Sequence, residues 1–139
     1  FKLYKFRTMK VGTKNMGTHL ATASDITKIG SFLRQTKLDE IPQIFNILLG
    51  HMTLIGPRPC LPTQLDLIKF RSKKNVFDAL PGITGYAQIN QIDMSKPEIL
   101  AEWDSRYIKL RSIIFDMLIL KHTLLGKGGG DKIKKSTSE

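Results

Sequence analysis

Asp39 and Glu40 are adjacent carboxylates in the stretch Arg34-x-x-x-x-Asp39-Glu40-x-Pro42-Gln43. A carboxylate can attack phosphorus directly, and a pair can hold a hard divalent cation that bridges the oxygens of a diphosphate. Free N–H groups at a helix start suit phosphate oxygens as well, and Arg34 supplies a compensating charge. The plainer reading is that Asp39 and Glu40 only cap a helix and suit its macrodipole. Arg58 stands between Pro57 and Pro59, which fix the backbone around it. Its guanidinium offers paired donors to a phosphate, or equally to a structural salt bridge. Lys5 and Arg7 lie two apart in an alternating segment, on one strand face, where they can meet one anion together. Two such cations also blunt an edge strand.

Other chemistries find no support. His19, His51 and His122 show no metal spacing, and there is no GxSxG, P-loop or GxGxxG pattern. The single cysteine, Cys60, sits beside Pro59 and Leu61-Pro62. It reads as a small packing residue, without a partner for an internal disulfide and without a cluster for zinc.

The elements that must carry these residues follow from periodicity. Residues 1–10 alternate as a strand, and residues 11–24, rich in Gly, Thr, Asn and Ala, read as a mobile loop. Asp25 or Ser24 can cap a helix bearing Ile26, Ile29, Phe32 and Leu33, with Gly30 acceptable in a close contact. Ile41, Ile44, Phe45, Leu48 and Leu49 form the stripe of a second amphipathic helix. Thr36-x-x-Asp39 resembles a capping box, but that start would strand Pro42 inside the helix. An interior proline costs about 3 kcal/mol against about 1 for a cap, so the helix is expected to begin near Leu38 or Asp39. A short strand or turn at residues 52–55 precedes Gly56-Pro57-Arg58-Pro59. A basic helix over residues 64–77, a turn at Leu80-Pro81-Gly82 and a strand over residues 83–90 come next. A helix over residues 97–125, bent near Ser112, closes the fold, with Trp103, Tyr107, Leu110 and Ile114 as a core stripe. Its later part, residues 113–120, is apolar on most sides and so is buried, or lies against a membrane or another segment.

The 139 residues suit one compact domain. With 41% hydrophobic and 24% charged residues the chain is globular rather than disordered. The net charge of +10 favours an anionic partner, whether nucleic acid, an anionic membrane surface or a phosphorylated substrate. No stretch reads as a signal peptide or a transmembrane span.

Six blocks occur in one order: Tyr4-Lys5-Phe6-Arg7-Thr8-Met9; Asp25-Ile26-Thr27-Lys28-Ile29-Gly30 through Leu33-Arg34; Leu38-Asp39-Glu40-Ile41-Pro42-Gln43 with Asn46; Gly50-His51-Met52-Thr53-Leu54-Ile55-Gly56-Pro57-Arg58-Pro59; Pro81-Gly82-Ile83-Thr84-Gly85-Tyr86-Ala87-Gln88-Ile89-Asn90; and Asp104-x-x-Tyr107 through Ser112-x-x-x-Asp116. Together they resemble the bacterial sugar transferase family, the monotopic polyprenyl-phosphate phosphoglycosyl transferases, over nearly the whole chain to about Gly126.

The resemblance implies transfer of a phosphosugar from a UDP-sugar to undecaprenyl phosphate, with release of UMP, at the cytoplasmic face of a bacterial inner membrane. It makes Asp39 the nucleophile that holds a covalent phosphosugar and gives Glu40, beside it, a Mg²⁺. Lys5, Arg7, Arg34 and Arg58 become phosphate holders, and Pro57-Arg58-Pro59 the uridine-nucleotide contact region. The implied fold is α+β: a helix-rich single domain with a small β-sheet and a long C-terminal amphipathic helix. Residues 1–126 form the catalytic domain, and residues 127–139 a flexible basic tail. Three departures stand out. His51 replaces a usual Asp, Tyr86 replaces a frequent Trp, and the family's hydrophobic re-entrant helix and basic segment would lie ahead of Phe1. The chain is therefore expected to be an N-terminally truncated piece, with the surface of residues 113–120 facing the absent segment or the bilayer.

Two rival readings share the charge. A non-catalytic basic membrane-surface or nucleic-acid-binding module explains +10, but leaves Asp39, Glu40 and the bracketed Arg58 unexplained. Nucleic-acid binding also calls for aromatic interleaving, and Lys69-Phe70-Arg71-Ser72-Lys73-Lys74 has only Phe70. The other rival is a folded but inactive truncated transferase. Neither the sugar nor the oligomeric state follows from the sequence.

Overall fold

The computed structural model describes residues 1–13 and 25–127. Residues 14–24 of the expected mobile loop, with His19 and the Ser24 cap, and the tail from residue 128 fall outside the described residues. Within them the helices are α1 (Lys28–Gln35), α2 (Gln43–Leu48), α3 (Leu65–Lys73), α4 (Tyr86–Ile89), α5 (Pro97–Leu110) and α6 (Ile113–Leu124). The strands are β1 (Thr53–Ile55) and β2 (Gly82–Thr84), and 3-10 turns occupy Leu38–Glu40 and Val76–Asp78. The fold is α+β and helix-rich, as expected.

β1 and β2 run parallel, with Thr53 opposite Gly82 and Ile55 opposite Thr84. A parallel pair needs a crossover, and α3 lies within it. A Cβ on Gly82 would come 2.1 Å from the Gly56 nitrogen, so the close approach admits only glycine. Gly82 N donates to Pro57 O at 2.9 Å and Gly56 N to Thr84 O at 2.9 Å. These bonds seat the proline-bracketed Arg58 segment against β2.

The core lies where α3 packs on α5. Leu67, Ala87, Met94 and Leu100 are its centre, and Cys60, Ile92 and Trp103 pack against it. Cys60 is thus a packing residue, as expected. Tyr86 sits between Trp103 and Phe115, with ring centroids at 4.9 and 5.1 Å, so the aromatic at this position joins α4, α5 and α6.

Several expected elements take a different form. Residues 1–7 are not in a ladder; an isolated antiparallel bridge joins Met9 to Ile26. The segment is instead clamped from outside: Tyr4 N donates to Asn46 Oδ1 at 3.0 Å, and Asn46 Nδ2 to Lys2 O at 2.7 Å. The cap of α1 is Thr27, whose Oγ1 accepts from Gly30 N at 2.9 Å, rather than Asp25 or Ser24. A Cβ on Gly30 would stand 2.1 Å from Thr8 O, so this glycine lets the first segment lie directly on α1. Thr36 closes α1 by donating its hydroxyl to Phe32 O at 2.9 Å, and no capping box forms. The second helix begins at Gln43, not near Leu38 or Asp39: those residues form a separate 3-10 turn, and Pro42 is the N-cap of α2, where its missing N–H has no bond to lose. Residues 83–90 alternate in sequence, yet β2 ends at Thr84 and α4 begins at Tyr86. The closing helix is broken rather than bent. Arg111 and Ser112 leave helical geometry, and Ser112 Oγ caps α6 by accepting from Phe115 N at 3.2 Å.

The largest departure concerns which faces are buried. On α2 the buried residues are Gln43 and Asn46, whereas Ile44, Phe45 and Leu48 are 51%, 63% and 77% exposed. The stripe read as core is outside. Ile29 and Phe32 of α1 are exposed too, as are Leu110 and Ile114 of the supposed stripe on the closing helix, where Tyr107 alone is fully buried. α6 docks through Ile119 and through polar ties: Thr84 Oγ1 and Thr123 Oγ1 lie 2.7 Å apart, and Tyr107 OH donates to Asp116 Oδ1 at 2.9 Å. Its Ile113, Ile114, Met117 and Leu118 are exposed, as expected for residues 113–120. No described helix is long and apolar enough to cross a membrane.

Candidate active site

The 3-10 turn Leu38–Glu40 carries the carboxylate pair. It is entered through Lys37, whose φ of 57° is left-handed, and it leads through Ile41 and Pro42 into α2. The turn buries the Asp39 side chain to 3% exposure and leaves Glu40 at 11%.

Lys5 reaches both carboxylates. Its Nζ lies 3.0 Å from Asp39 Oδ2 and 3.3 Å from Glu40 Oε1. Phe6 N, next in the chain, donates to Asp39 O at 3.0 Å, so backbone and side chain fix this register together. Asp39 Oδ2 is at ion-pair distance from Lys5 but off a hydrogen-bond direction. It has no hydrogen bond among the described residues. A buried carboxylate oxygen left in that state is costly and is available to an incoming electrophile.

Arg58 closes the other side, donating from Nη2 to Glu40 Oε1 at 2.9 Å. Pro57 is buried and Pro59 half-buried; both frame the segment, and Pro57 O accepts the bond from Gly82. A second anchor comes from below: Arg71 Nη1 donates to Arg58 O at 2.8 Å. Arg71 in turn holds Asp104, with Nε at 2.9 Å and Nη2 at 2.7 Å from Oδ2.

The electrostatics follow from this packing. Burial works against ionisation of Glu40, but the charges of Arg58 and Lys5 outweigh it and hold the carboxyl below its usual range. Glu40 is therefore ionised at neutral pH. Its contribution to stability is present above the unfolded value of about 4.3 and fades as pH falls through the lower folded value. Lys37 belongs to the same field. Burial lowers its ammonium first, Glu40 pulls it back up, and Arg58 adds to the lowering.

The expected cations divide. Lys5 and Arg58 meet at the carboxylates. Arg34 donates from Nε to Thr8 Oγ1 at 2.8 Å, bracing the segment that carries Lys5. Arg7 is exposed and forms no ion pair among the described residues. Lys37 was not singled out, and Asn46, named only as part of a block, had no role assigned; it grips the backbone on both sides of Leu3 and so sets the reach of Lys5.

For a metal the donor set is two adjacent carboxylates, all hard oxygen. No group of three or more His, Cys, Asp or Glu side chains able to hold an ion occurs among the described residues. Such a pair fits a cation that takes one or two protein carboxylates and completes its shell with water and phosphate oxygens, as Mg²⁺ does.

Comparison with known proteins identifies the family. The model of a family described as bacterial sugar transferase matches residues 1–127. The UDP-glucose:undecaprenyl-phosphate glucose-1-phosphate transferase of Escherichia coli is 39% identical over 128 residues, covering 86% of this chain and 28% of that protein. The UDP-N-acetylgalactosamine-undecaprenyl-phosphate N-acetylgalactosaminephosphotransferase of Aeromonas hydrophila is 37% identical over 133 residues, covering 89% of this chain and 31% of that protein. The uncharacterized sugar transferase EpsL of Bacillus subtilis is 38% identical over 120 residues, 86% of this chain and 59% of that protein. The chain thus spans from about a quarter to under two thirds of the length of these relatives.

Proposed function

The chain belongs to the bacterial sugar transferase family, and from that premise we propose that it moves a phosphosugar from a UDP-sugar to a polyprenyl phosphate through a covalent intermediate on Asp39. The observation that carries this reading is the buried Asp39–Glu40 pair with Lys5 and Arg58 against it. In the first half-reaction an Asp39 carboxylate oxygen attacks the β-phosphorus. An oxygen–phosphorus bond forms, the bond from that phosphorus to the bridging oxygen breaks, and UMP leaves with the electron pair. In the second, an oxygen of the polyprenyl phosphate attacks the same phosphorus and frees Asp39.

The roles of the side chains follow from charge. A carboxylate and a diphosphate repel each other, so attack needs compensating cations. Lys5 lies on Asp39 itself, and Arg58 presents a fork of donors suited to phosphate oxygens. Lys37 adds charge at the same turn. Asp39 and Glu40 would hold Mg²⁺, which supplies charge neutralisation on the phosphate oxygens when bound. Dividing the transfer lets a soluble donor and a lipid acceptor use the site in turn.

Mass spectrometry tests this directly. Mixed with a UDP-sugar and Mg²⁺, the chain should gain the mass of one phosphosugar, with UMP released in equal amount. Excess EDTA should prevent both. Release of UMP without a protein adduct would exclude the covalent route, and an adduct formed in EDTA would exclude the metal.

The inverted faces of α1 and α2, together with the exposed side of α6, favour a membrane-apposed placement. Apolar residues at these exposures normally mark an interaction surface, and the +10 charge suits anionic headgroups. We expect flotation with anionic vesicles at low salt. High salt should remove the charge-driven part and leave an apolar remainder. Phe45→Ser with Leu48→Ser should reduce that remainder with little change in Tm, since both side chains are already exposed. A monomer that ignores anionic vesicles at low salt would remove the membrane assignment.

A further inference from the structure

A small recess lies beside Arg58. Arg58, Gln88, Asp93, Met94, Leu100 and Asp104 line it, and its cavity volume is about 10 Å³. That is room for about one water-sized group. Gln88 is the unusual member. Its Nε2 donates to Ile83 O at 3.4 Å, the sense that sets a donor against that carbonyl. The remaining atom, Oε1, is buried without a hydrogen-bond partner among the described residues. A buried acceptor in that state is satisfied by whatever donor enters.

The lining states what can enter. Asp104 is offset by Arg71, so charge does not decide; a recess with room for about one water-sized group does not admit a phosphate, and the open acceptor calls for a group that donates a hydrogen bond. Ser95 holds the Asp93 carboxylate through N at 3.0 Å and Oγ at 2.5 Å, both to Oδ1, which fixes a second acceptor in the lining. Met94 and Leu100 supply apolar wall. A hydroxyl beside an apolar ring face meets all of these demands; a uracil edge, with two carbonyls and one N–H, meets few of them. Reach agrees. Arg58 touches Glu40, the neighbour of Asp39, and also lines the recess. The hexose of a UDP-sugar is joined to the attacked phosphorus through one oxygen, whereas the base is removed from it by a further phosphate and a ribose.

Resting on the transferase reading above, we infer that this recess is the notch that reads the donor sugar, admitting one hexose hydroxyl to donate to Gln88 Oε1. A notch of this size takes a hydroxyl and excludes an acetamido group at the position it reads. A donor that lacks the hydroxyl, or carries it in the other configuration, leaves Gln88 buried and unpaired.

Calorimetric titration of the chain with UDP, UDP-glucose, UDP-galactose, UDP-2-deoxyglucose and UDP-N-acetylglucosamine tests the assignment. The unaltered chain should separate at least one pair of sugars that differ at a single carbon by about 5- to 100-fold in Kd, the range for leaving one buried polar group unpaired. Gln88→Leu should collapse that separation to under about three-fold, with Kd for UDP unchanged. If Gln88→Leu does not fold, Gln88→Asn draws the carbonyl back by one methylene and should give the same collapse, with Gln88→Glu retaining the separation. Weakening of UDP as much as of the UDP-sugars would show that Gln88 serves the nucleotide and overturn the notch. Selectivity unaffected by Gln88→Leu would leave the recess to a structural water and overturn it as well. Failure of the unaltered chain to bind UDP at all would instead remove the transferase reading, and the notch with it.

Discussion

Asp39→Asn should abolish the phosphosugar adduct and lower transfer to polyprenyl phosphate by about 10³- to 10⁶-fold, the scale set by removing a nucleophile. The substitution keeps the size of the side chain and removes its charge. The structural bonds of the turn pass through the backbone, where Asp39 O accepts from Phe6 N at 3.0 Å, and these survive. The lost ion pair has a partly open partner, since the Lys5 side chain is 28% exposed, so water can take over the ammonium. Relief of a buried anion offsets part of what remains. Stability should therefore change by no more than about 1 kcal/mol, and the variant should melt with the parent. It should still bind the UDP-sugar, because Arg58 and Lys37 are untouched. Transfer within ten-fold of the parent would assign the nucleophile elsewhere. Loss of UDP-sugar binding together with transfer would make Asp39 a binding residue.

The pair was legible because it is local. Adjacent carboxylates before a proline mark a helix entry, although α2 begins at Gln43, after Pro42, and not near Leu38 or Asp39, which form a separate 3-10 turn. Arg58 was legible for a similar reason, since two prolines rarely bracket a residue whose position is unimportant. Lys37 was not, because nothing in its neighbours signals a left-handed φ of 57° at a residue other than glycine or asparagine. The separation of Lys5 from Arg7 was also hidden. Alternation places two side chains on one face only where the segment stays a regular strand, and here Asn46 and the 3-10 turn grip it instead.

The stripe on α2 shows a deeper limit. Periodicity reports that a helix has an apolar face, but burial of that face is an added assumption that holds for a domain surrounded by water. In α2 the polar face is the buried one because it has a structural task. Asn46 binds Lys2 and Tyr4, and its carbonyl accepts from His51 N at 2.9 Å and Met52 N at 3.3 Å. A helix whose polar side faces inward must put its apolar side somewhere other than the core. The inversion is thus an argument about surroundings, and it could be found only by seeing which face the first segment occupies. The alternation of residues 83–90 failed for another reason: eight residues are too few to separate a short helix after Gly85 from a strand.

The largest effect on stability is expected at Asp104, which the sequence placed in a motif without a task. Arg71 and Asp104 are 2% and 3% exposed at the side chain, and Arg71 carries the Arg58 carbonyl as well. Asp104→Ala leaves a buried guanidinium without its counter-ion, which costs about 3–5 kcal/mol. Set against a total stability of about 5–15 kcal/mol, that loss should lower Tm strongly and unfold part of the population at growth temperature. Burial also pushes the Asp104 carboxyl above its usual range, and the charge of Arg71 only partly offsets it. A raised carboxyl is a net cost once ionised: the stability it leaves is fullest below the unfolded value and diminishes as pH rises through the folded one. For a buried ion pair the cost of removing both charges from water commonly offsets their attraction. It follows that Arg71→Met combined with Asp104→Leu should recover most of the stability lost in Asp104→Ala. The double variant should still be impaired, because Arg58 loses the bond to its carbonyl. Its Kd for UDP-sugar should rise by about ten-fold, the scale of one hydrogen bond to a charged group, while its fold is retained. Circular-dichroism melts and UDP-sugar titrations on the two variants separate these effects. A double variant as unstable as Asp104→Ala would show that the ion pair itself holds α3 to α5. One that is stable and binds UDP-sugar like the parent would show that Arg58 needs no support from Arg71.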